Sequence, residues 1–188
     1  MAADGKRMKS YWIETYGCEM NKAESAAMER KLVEAGYQKA PTPRTADVVI
    51  LNTCSVRATA ENRIWGRIGF FGGLKKAGNL KLIITGCMAE RIRDDLLETG
   101  IVDSVFGTAE KHLIPGRLTE EFPSENNDLI NAASSYRFFD FHQLRSDTTR
   151  SFVPIMNGCD NFCSYCIVPY VRGRETSRPV HEIFREIE

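Results

Sequence analysis

Over roughly the first hundred residues, short apolar runs alternate with longer stretches of helical periodicity. Ser10–Thr15, Asp47–Asn52, Leu80–Thr85 and Ser104–Phe106 read as strands. Strands separated by amphipathic helices are the mark of βαβ units and a mostly parallel sheet. Asn21 with Glu24 three residues on reads as a capping box, Met28 and Leu32 follow at helical spacing, and Gly36 suits a C-cap. A first helix is therefore expected to run to about Ala35. Ile64, Ile68 and Phe71 fall at i, i+4 and i+7, which predicts a second helix from Ala58 to about Lys76 with its aromatics in the core.

From Gly116 to Arg150 the pattern dissolves into polar sequence, including Glu125-Asn126-Asn127-Asp128 and Ser146-Asp147-Thr148-Thr149. That stretch reads as an interdomain connection, with Phe138, Phe139 and Phe141 docking it onto a neighbouring domain. Ser151–Met156 then predicts a new strand, and Pro179 precedes a helix start that reaches the last residue, Glu188. The expected fold class is α/β: an N-terminal open parallel-sheet domain over 1–115, a linker over 116–150 and the incomplete start of a second domain over 151–188.

Charge narrows the partners. Lys plus Arg and Asp plus Glu are both 25, so no global basic field marks a nucleic-acid binder, and any RNA contact must come from local patches. Met1-Ala2-Ala3-Asp4-Gly5-Lys6-Arg7 has no apolar targeting core, and no apolar run is long enough to span a bilayer. The expectation is a cytoplasmic protein. In that reducing setting the 6 cysteines read as metal ligands or catalytic thiols rather than disulfides.

The cysteines fall into two sets of three. Cys159, Cys163 and Cys166 form a CxxxCxxC loop after a predicted strand, with Tyr165 just before the last of them. Three thiolates so spaced can wrap one face of a cubane iron-sulfur cluster, whereas a structural zinc site would be closed by a fourth ligand that the local sequence lacks. Three ligands leave one iron open for chemistry. Cys18, Cys54 and Cys87 are dispersed, but each follows a predicted strand and precedes a predicted helix. In an open parallel sheet such positions share the carboxyl edge, where ligands bind, so the three can converge on a second cluster. A fully ligated electron-transfer or structural iron-sulfur module is the competing reading from another class, and the three-and-three split argues against it. His112, His142 and His181 lie outside both sets and read as ordinary residues.

Taken together, Thr15-Tyr16-Gly17-Cys18-Glu19-Met20-Asn21, Asn52-Thr53-Cys54-Ser55-Val56-Arg57 and Thr85-Gly86-Cys87-Met88-Ala89 resemble three blocks of the methylthiotransferases. That family is a branch of the radical S-adenosylmethionine enzymes. The resemblance continues through Cys159–Cys166 into Ile167-Val168-Pro169-Tyr170-Val171-Arg172-Gly173-Arg174-Glu175 and Ser177-Arg178-Pro179. It covers the whole chain and is closest to the MiaB type. Tyr16, Met20, Ser55, Arg57 and Tyr170 set it apart from the ribosomal-protein (RimO) and threonylcarbamoyl-adenosine (MtaB) branches, while Glu19 departs from the usual Gln.

The resemblance implies two 4Fe-4S clusters and S-adenosylmethionine as cofactors, and an open parallel-sheet domain leading into a radical-SAM (β/α) partial barrel. Cys159, Cys163 and Cys166 would hold the cluster that generates a 5'-deoxyadenosyl radical, and Cys18, Cys54 and Cys87 the auxiliary cluster that supplies sulfur. Tyr165 and Arg172 are candidate cofactor-binding residues. Guanidinium forks suit phosphate or the cofactor carboxylate, although Arg172, Arg174 and Arg178 equally suit a solvated turn paired to Glu175 and Glu182. The implied reaction is methylthiolation at C2 of isopentenyl-adenosine beside the tRNA anticodon. The implied partners are that tRNA and an electron donor such as flavodoxin or ferredoxin, with no membrane and a monomeric state. Because the family's barrel and its RNA-binding TRAM domain extend past Glu188, the chain is expected to be an N-terminal portion, inactive alone, of a longer enzyme.

Overall fold

Val48 to Leu51 is an unbroken aliphatic run buried on both faces, as a central strand of a parallel sheet must be. In the computed structural model, which describes residues 8–55, 58–119 and 152–188, that run is the middle of a five-stranded sheet. Strands β1 (Ser10–Thr15), β2 (Gln38–Lys39), β3 (Val48–Thr53), β4 (Lys81–Gly86) and β5 (Ser104–Phe106) lie in the order β2-β1-β3-β4-β5, all parallel. The expected strands are present, with β3 and β4 each displaced by one residue. The parallel-sheet α/β class is borne out.

Helix α1 (Glu19–Glu34) covers one face and α2 (Ala58–Lys75) the other. On the α1 face Tyr11, Val48, Ile50 and Ile83 meet Ala27, Met28 and Leu32. Two short helices, α3 (Cys87–Arg91) and α4 (Arg93–Glu98), extend the α2 layer through Met88 and Leu96, while Ile114 and Leu118 of α5 (Ile114–Thr119) join the α1 layer. On the α2 face Val49, Leu51, Leu82 and Ile84 meet Ile64, Ile68 and Phe71. The α1 C-terminus closes where the sequence indicated: the Gly36 amide donates to the Val33 carbonyl at 2.9 Å and the Tyr37 amide to Leu32 at 2.9 Å, a Schellman arrangement around Ala35. Its N-terminus corrects the capping-box expectation. Cys18 is the N-cap, Asn21 lies inside the first turn, and its side chain turns into the protein rather than onto the helix amides.

A second correction concerns Ser151–Met156. Of its described residues only Met156 is strand, in a two-residue β6 (Met156–Asn157) that pairs antiparallel with Thr176–Ser177 (β7). Pro154 lacks the amide that a ladder needs, and the extended leg is tied instead by Arg178, whose amide donates to the Ile155 carbonyl and whose guanidinium donates to that of Pro154. Helices α6 (Val168–Arg172) and α7 (Val180–Ile187) follow, the latter where Pro179 predicted it. Helix α5 carries regular structure through Thr119, past the expected start of the linker at Gly116; Phe138, Phe139 and Phe141 lie outside the described residues. No described helix is long and apolar enough to cross a membrane.

Phe71, fully buried under α2, carries much of the second layer. Truncation of Phe71 to Ala should lower unfolding free energy by about 3–5 kcal/mol in urea titrations, whereas Trp65→Ala, on the exposed side of α2, should stay within about 0.5 kcal/mol.

Candidate functional site at the carboxyl edge of the sheet

From β1 the chain moves outward to β2 and then returns to place β3 on the other side of β1. The gap between β1 and β3 is thus a topological switch point, with α1 and α2 leaving to opposite faces, and the carboxyl edge at such a point is where open α/β sheets bind their ligands. Cys18 and Cys54 follow the two strands that border that point. Cys87, the first residue of α3, follows β4, the next strand over. Cys18 is exposed while Cys54 and Cys87 are buried. Two glycines allow the loops to close: a Cβ on Gly17 would stand 2.9 Å from the Cys54 Cβ, and one on Gly86, at φ +102°, would run into the Thr53 carbonyl oxygen. The edge expected from sequence therefore does bring the three loops together.

Asn21 organises this edge. Its amide nitrogen donates to Asn52 Oδ1 at 3.0 Å and to the Thr53 carbonyl at 2.9 Å, while its Oδ1 accepts from Cys18 Sγ at 3.1 Å. Asn52 answers with bonds to the Asn21 carbonyl and to Ser25 Oγ, both at 2.9 Å. One side chain thus ties the residue before Cys54 to Cys18.

Beneath it lies Glu24, fully buried, paired with the equally buried Lys111 and with Arg172 Nη1 at 3.1 Å. Burial pushes the Glu24 carboxyl up, but Lys111 and Arg172 outweigh burial and hold it below the usual carboxylate range. Burial likewise pushes the Cys87 thiol up, with the charges of Arg172 and Lys111 opposing that shift. Arg172 is desolvated too, yet Glu24 keeps it more firmly protonated than an ordinary arginine. Its Nη1 also donates to Asn157 Oδ1 at 3.0 Å and its Nη2 to Asn21 Oδ1 at 3.2 Å. The guanidinium suggested for phosphate or cofactor is thus turned inward onto the sheet edge, and its carboxylate partner is Glu24, not Glu175 or Glu182. Arg178 does pair locally, with Glu186 and with Glu182 at 3.6 Å.

The second set sits on the loop between β6 and α6. Cys163 is exposed, Cys159 and Cys166 partly buried. The loop is held at both ends: the Cys159 amide donates to the Gly173 carbonyl at 3.2 Å, the Cys166 amide to that of Cys163 at 2.9 Å, and the Glu175 amide to Asp160 Oδ1 at 2.9 Å. Asn161 Nδ2 donates to Cys159 Sγ at 3.4 Å, a contact that favours sulfur as an acceptor. Phe162 takes a left-handed φ of 45°, uncommon without a glycine and typical of functional loops. Its ring meets Tyr170 edge-on at 6.1 Å, and Arg174 lies over it at 5.1 Å. Tyr165 is 89% exposed.

Among the described residues no three His, Cys, Asp or Glu side chains are gathered closely enough to hold a metal ion. The fit to thiolate-bound clusters rests on donor chemistry and placement: three cysteines after three adjacent strands, and three more on one constrained loop. Arg57 lies outside the described residues. Sequence reasoning missed Glu24, Lys111 and Asn157. Glu24 left a trace, since it heads the i, i+4, i+8 stripe whose other members, Met28 and Leu32, are core. Lys111 and Asn157 left none.

The family described as Uncharacterized protein family UPF0004 matches residues 10–107, the whole of this sheet. The chain belongs to that family. It is 47% identical over 191 residues to a tRNA-2-methylthio-N(6)-dimethylallyladenosine synthase of Treponema denticola, covering 95% of this chain and 42% of that protein. Proteins of the same name from Treponema pallidum (strain Nichols) and Bacteroides fragilis (strain YCH46) are 44% and 41% identical, again over 95% of this chain and over 42% and 40% of theirs. The chain spans about two fifths of the length of these curated relatives. The resemblance to the MiaB-type methylthiotransferases is borne out.

Glu24→Gln should cost about 3–5 kcal/mol at neutral pH, because it strands the buried Lys111 charge. Since the folded carboxyl titrates below its ordinary value of 4.5, the stabilisation is complete above that value and fades as pH falls through the lower folded one. Denaturation of the parent protein and of the Glu24→Gln variant across acid pH should therefore show the two stabilities converging as pH drops.

Proposed function

We propose that this chain is the N-terminal portion of a cytosolic radical S-adenosylmethionine methylthiotransferase that converts isopentenyl-adenosine in tRNA to its 2-methylthio form. The observation that carries the reading is the pairing of two cysteine triads, one across adjacent strand ends at the switch point and one on the adjoining loop, in a chain whose relatives bear the synthase name. Cys159, Cys163 and Cys166 would hold one 4Fe-4S cluster, and Cys18, Cys54 and Cys87 the other. When bound, these groups supply reductive cleavage of S-adenosylmethionine and the sulfur to be inserted.

The chain's own residues prepare the ground for that chemistry. Asn21 fixes the loops that carry Cys18 and Cys54. Lys111 and Arg172 place positive charge beside the buried Cys87, which offsets part of the burial that raises its thiol. Asp160, accepting the Glu175 amide, and Asn161, donating to Cys159, hold the second loop in shape. Tyr165, with its ring in solvent, offers a face to cofactor or adenine. Residues 151–188 would open the radical-SAM domain, electrons would come from a flavodoxin- or ferredoxin-like donor, and the protein would act as a monomer.

The decisive experiment is the nucleoside profile of tRNA from cells lacking the gene. Loss of the 2-methylthio form with accumulation of isopentenyl-adenosine is the expected result; an intact profile would overturn the assignment. Anaerobic reconstitution should give about eight iron atoms per chain as two cubanes, and stoichiometric zinc in their place would count against it. In the full-length enzyme, Cys163→Ala should abolish both 5'-deoxyadenosine and product. Cys54→Ala should leave 5'-deoxyadenosine forming while methylthiolation is lost, provided iron content shows the other cluster retained.

A further inference from the structure

The two cysteine sets belong to regions far apart in sequence, and one buried side chain bridges them. Arg172 ends α6, just beyond the Cys159–Cys166 loop, and reaches back across the sheet edge. Its Nη1 spans Glu24 and Asn157, and its Nη2 spans Asn21 and, at 3.5 Å, the second Glu24 oxygen. Asn157 lies two residues before Cys159, and its own Nδ2 donates to the Arg172 carbonyl at 3.0 Å. Asn21 is bonded to Cys18 and to the residue before Cys54. A second strut is the Thr108 hydroxyl, which donates to the Val171 carbonyl at 2.7 Å.

We infer that Arg172 is a positioning residue: by joining Glu24 and Asn21 on the sheet to Asn157 at the root of the second loop, it holds the two cysteine sets at a fixed separation. A planar fork with several donors can satisfy three side chains at once, whereas a lysine in the same place offers charge without that span. The burial of Glu24 gives the join its direction, because the carboxylate cannot be left facing a void without a large penalty. The inference rests on the two-cluster reading for its functional meaning, but the join itself exists without metal.

The test therefore has a structural arm and a catalytic arm. In the metal-free protein, hydrogen exchange at the amides of Cys159, Val171 and Arg178 should quicken about tenfold or more in Arg172→Gln, the equivalent of losing one or more charge-assisted hydrogen bonds, while β3 and β4 stay as protected as in the parent. If Arg172→Gln fails to fold, Arg172→Lys, which retains a charge for Glu24, is read by the same criterion. Arg185→Gln, at an exposed cation of α7 outside the loop, should leave exchange unchanged.

In the full-length loaded enzyme, Arg172→Lys should still form 5'-deoxyadenosine while the methylthio product per cleavage falls about tenfold or more, because radical generator and sulfur donor no longer face one substrate atom. Unchanged exchange in the Arg172 variants would overturn the inference. So would loss of 5'-deoxyadenosine with exchange unaltered, which would make Arg172 a cofactor contact instead. If the parent enzyme forms no 5'-deoxyadenosine while the loop still loosens in the Arg172 variants, the proposed activity falls and the positioning role stands.

Discussion

A carboxylate with no access to water has to be answered by charge, and in this protein that requirement reaches beyond its own helix. Glu24 sits on the buried stripe of α1, and two cations reach it, Lys111 from beyond β5 and Arg172 from beyond the second cysteine loop. Ion pairs of this kind are poor sources of net stability compared with apolar packing, since desolvation consumes most of the attraction. Their strength lies in intolerance: an alternative arrangement that moves Arg172 away leaves charge stranded in a low-dielectric interior. Hydrophobic contacts between the sheet and residues 152–188 would not carry such a penalty for small displacements. The polar join thus specifies where the second unit sits.

The sheet was legible in the amino-acid sequence because parallel strands buried on both faces must be aliphatic. Val48–Leu51 and Leu82–Ile84 could hardly be anything else. The placement of Cys18, Cys54 and Cys87 at one edge was legible for a related reason, since any residue that follows a strand of such a sheet stands at the same edge. What could not be read was direction. Asn21 has the chemistry of a helix cap, and only the packing of α1 against β3 turns its amide toward Asn52. Arg172 has the look of a solvated basic turn, and its partner lies 148 residues upstream. Pairings of that range are set by the completed fold, and the local sequence around either partner holds no record of them. The short β6 is a milder case, in which Pro154 was visible but its effect on the ladder was outweighed by the apolar pattern around it.

Carrying three of the six thiols just past the ends of adjacent strands has one more consequence. Neighbouring strands of a sheet are held about 4.8 Å apart by their backbone hydrogen bonds, whatever the side chains. The strand ends from which Cys18, Cys54 and Cys87 depart are therefore spaced by the backbone ladder of β1, β3 and β4, not by the crossovers that join them. Helices α1 and α2 are free to lengthen, shorten or change sequence on their outer faces without disturbing the triad. A one-residue slip in β3, by contrast, would carry Cys54 off the edge entirely. Such a gauge is tolerant of drift along most of the chain and unforgiving at a handful of strand positions, so a divergent relative could lose nearly all recognisable similarity and still measure out the same three sulfurs.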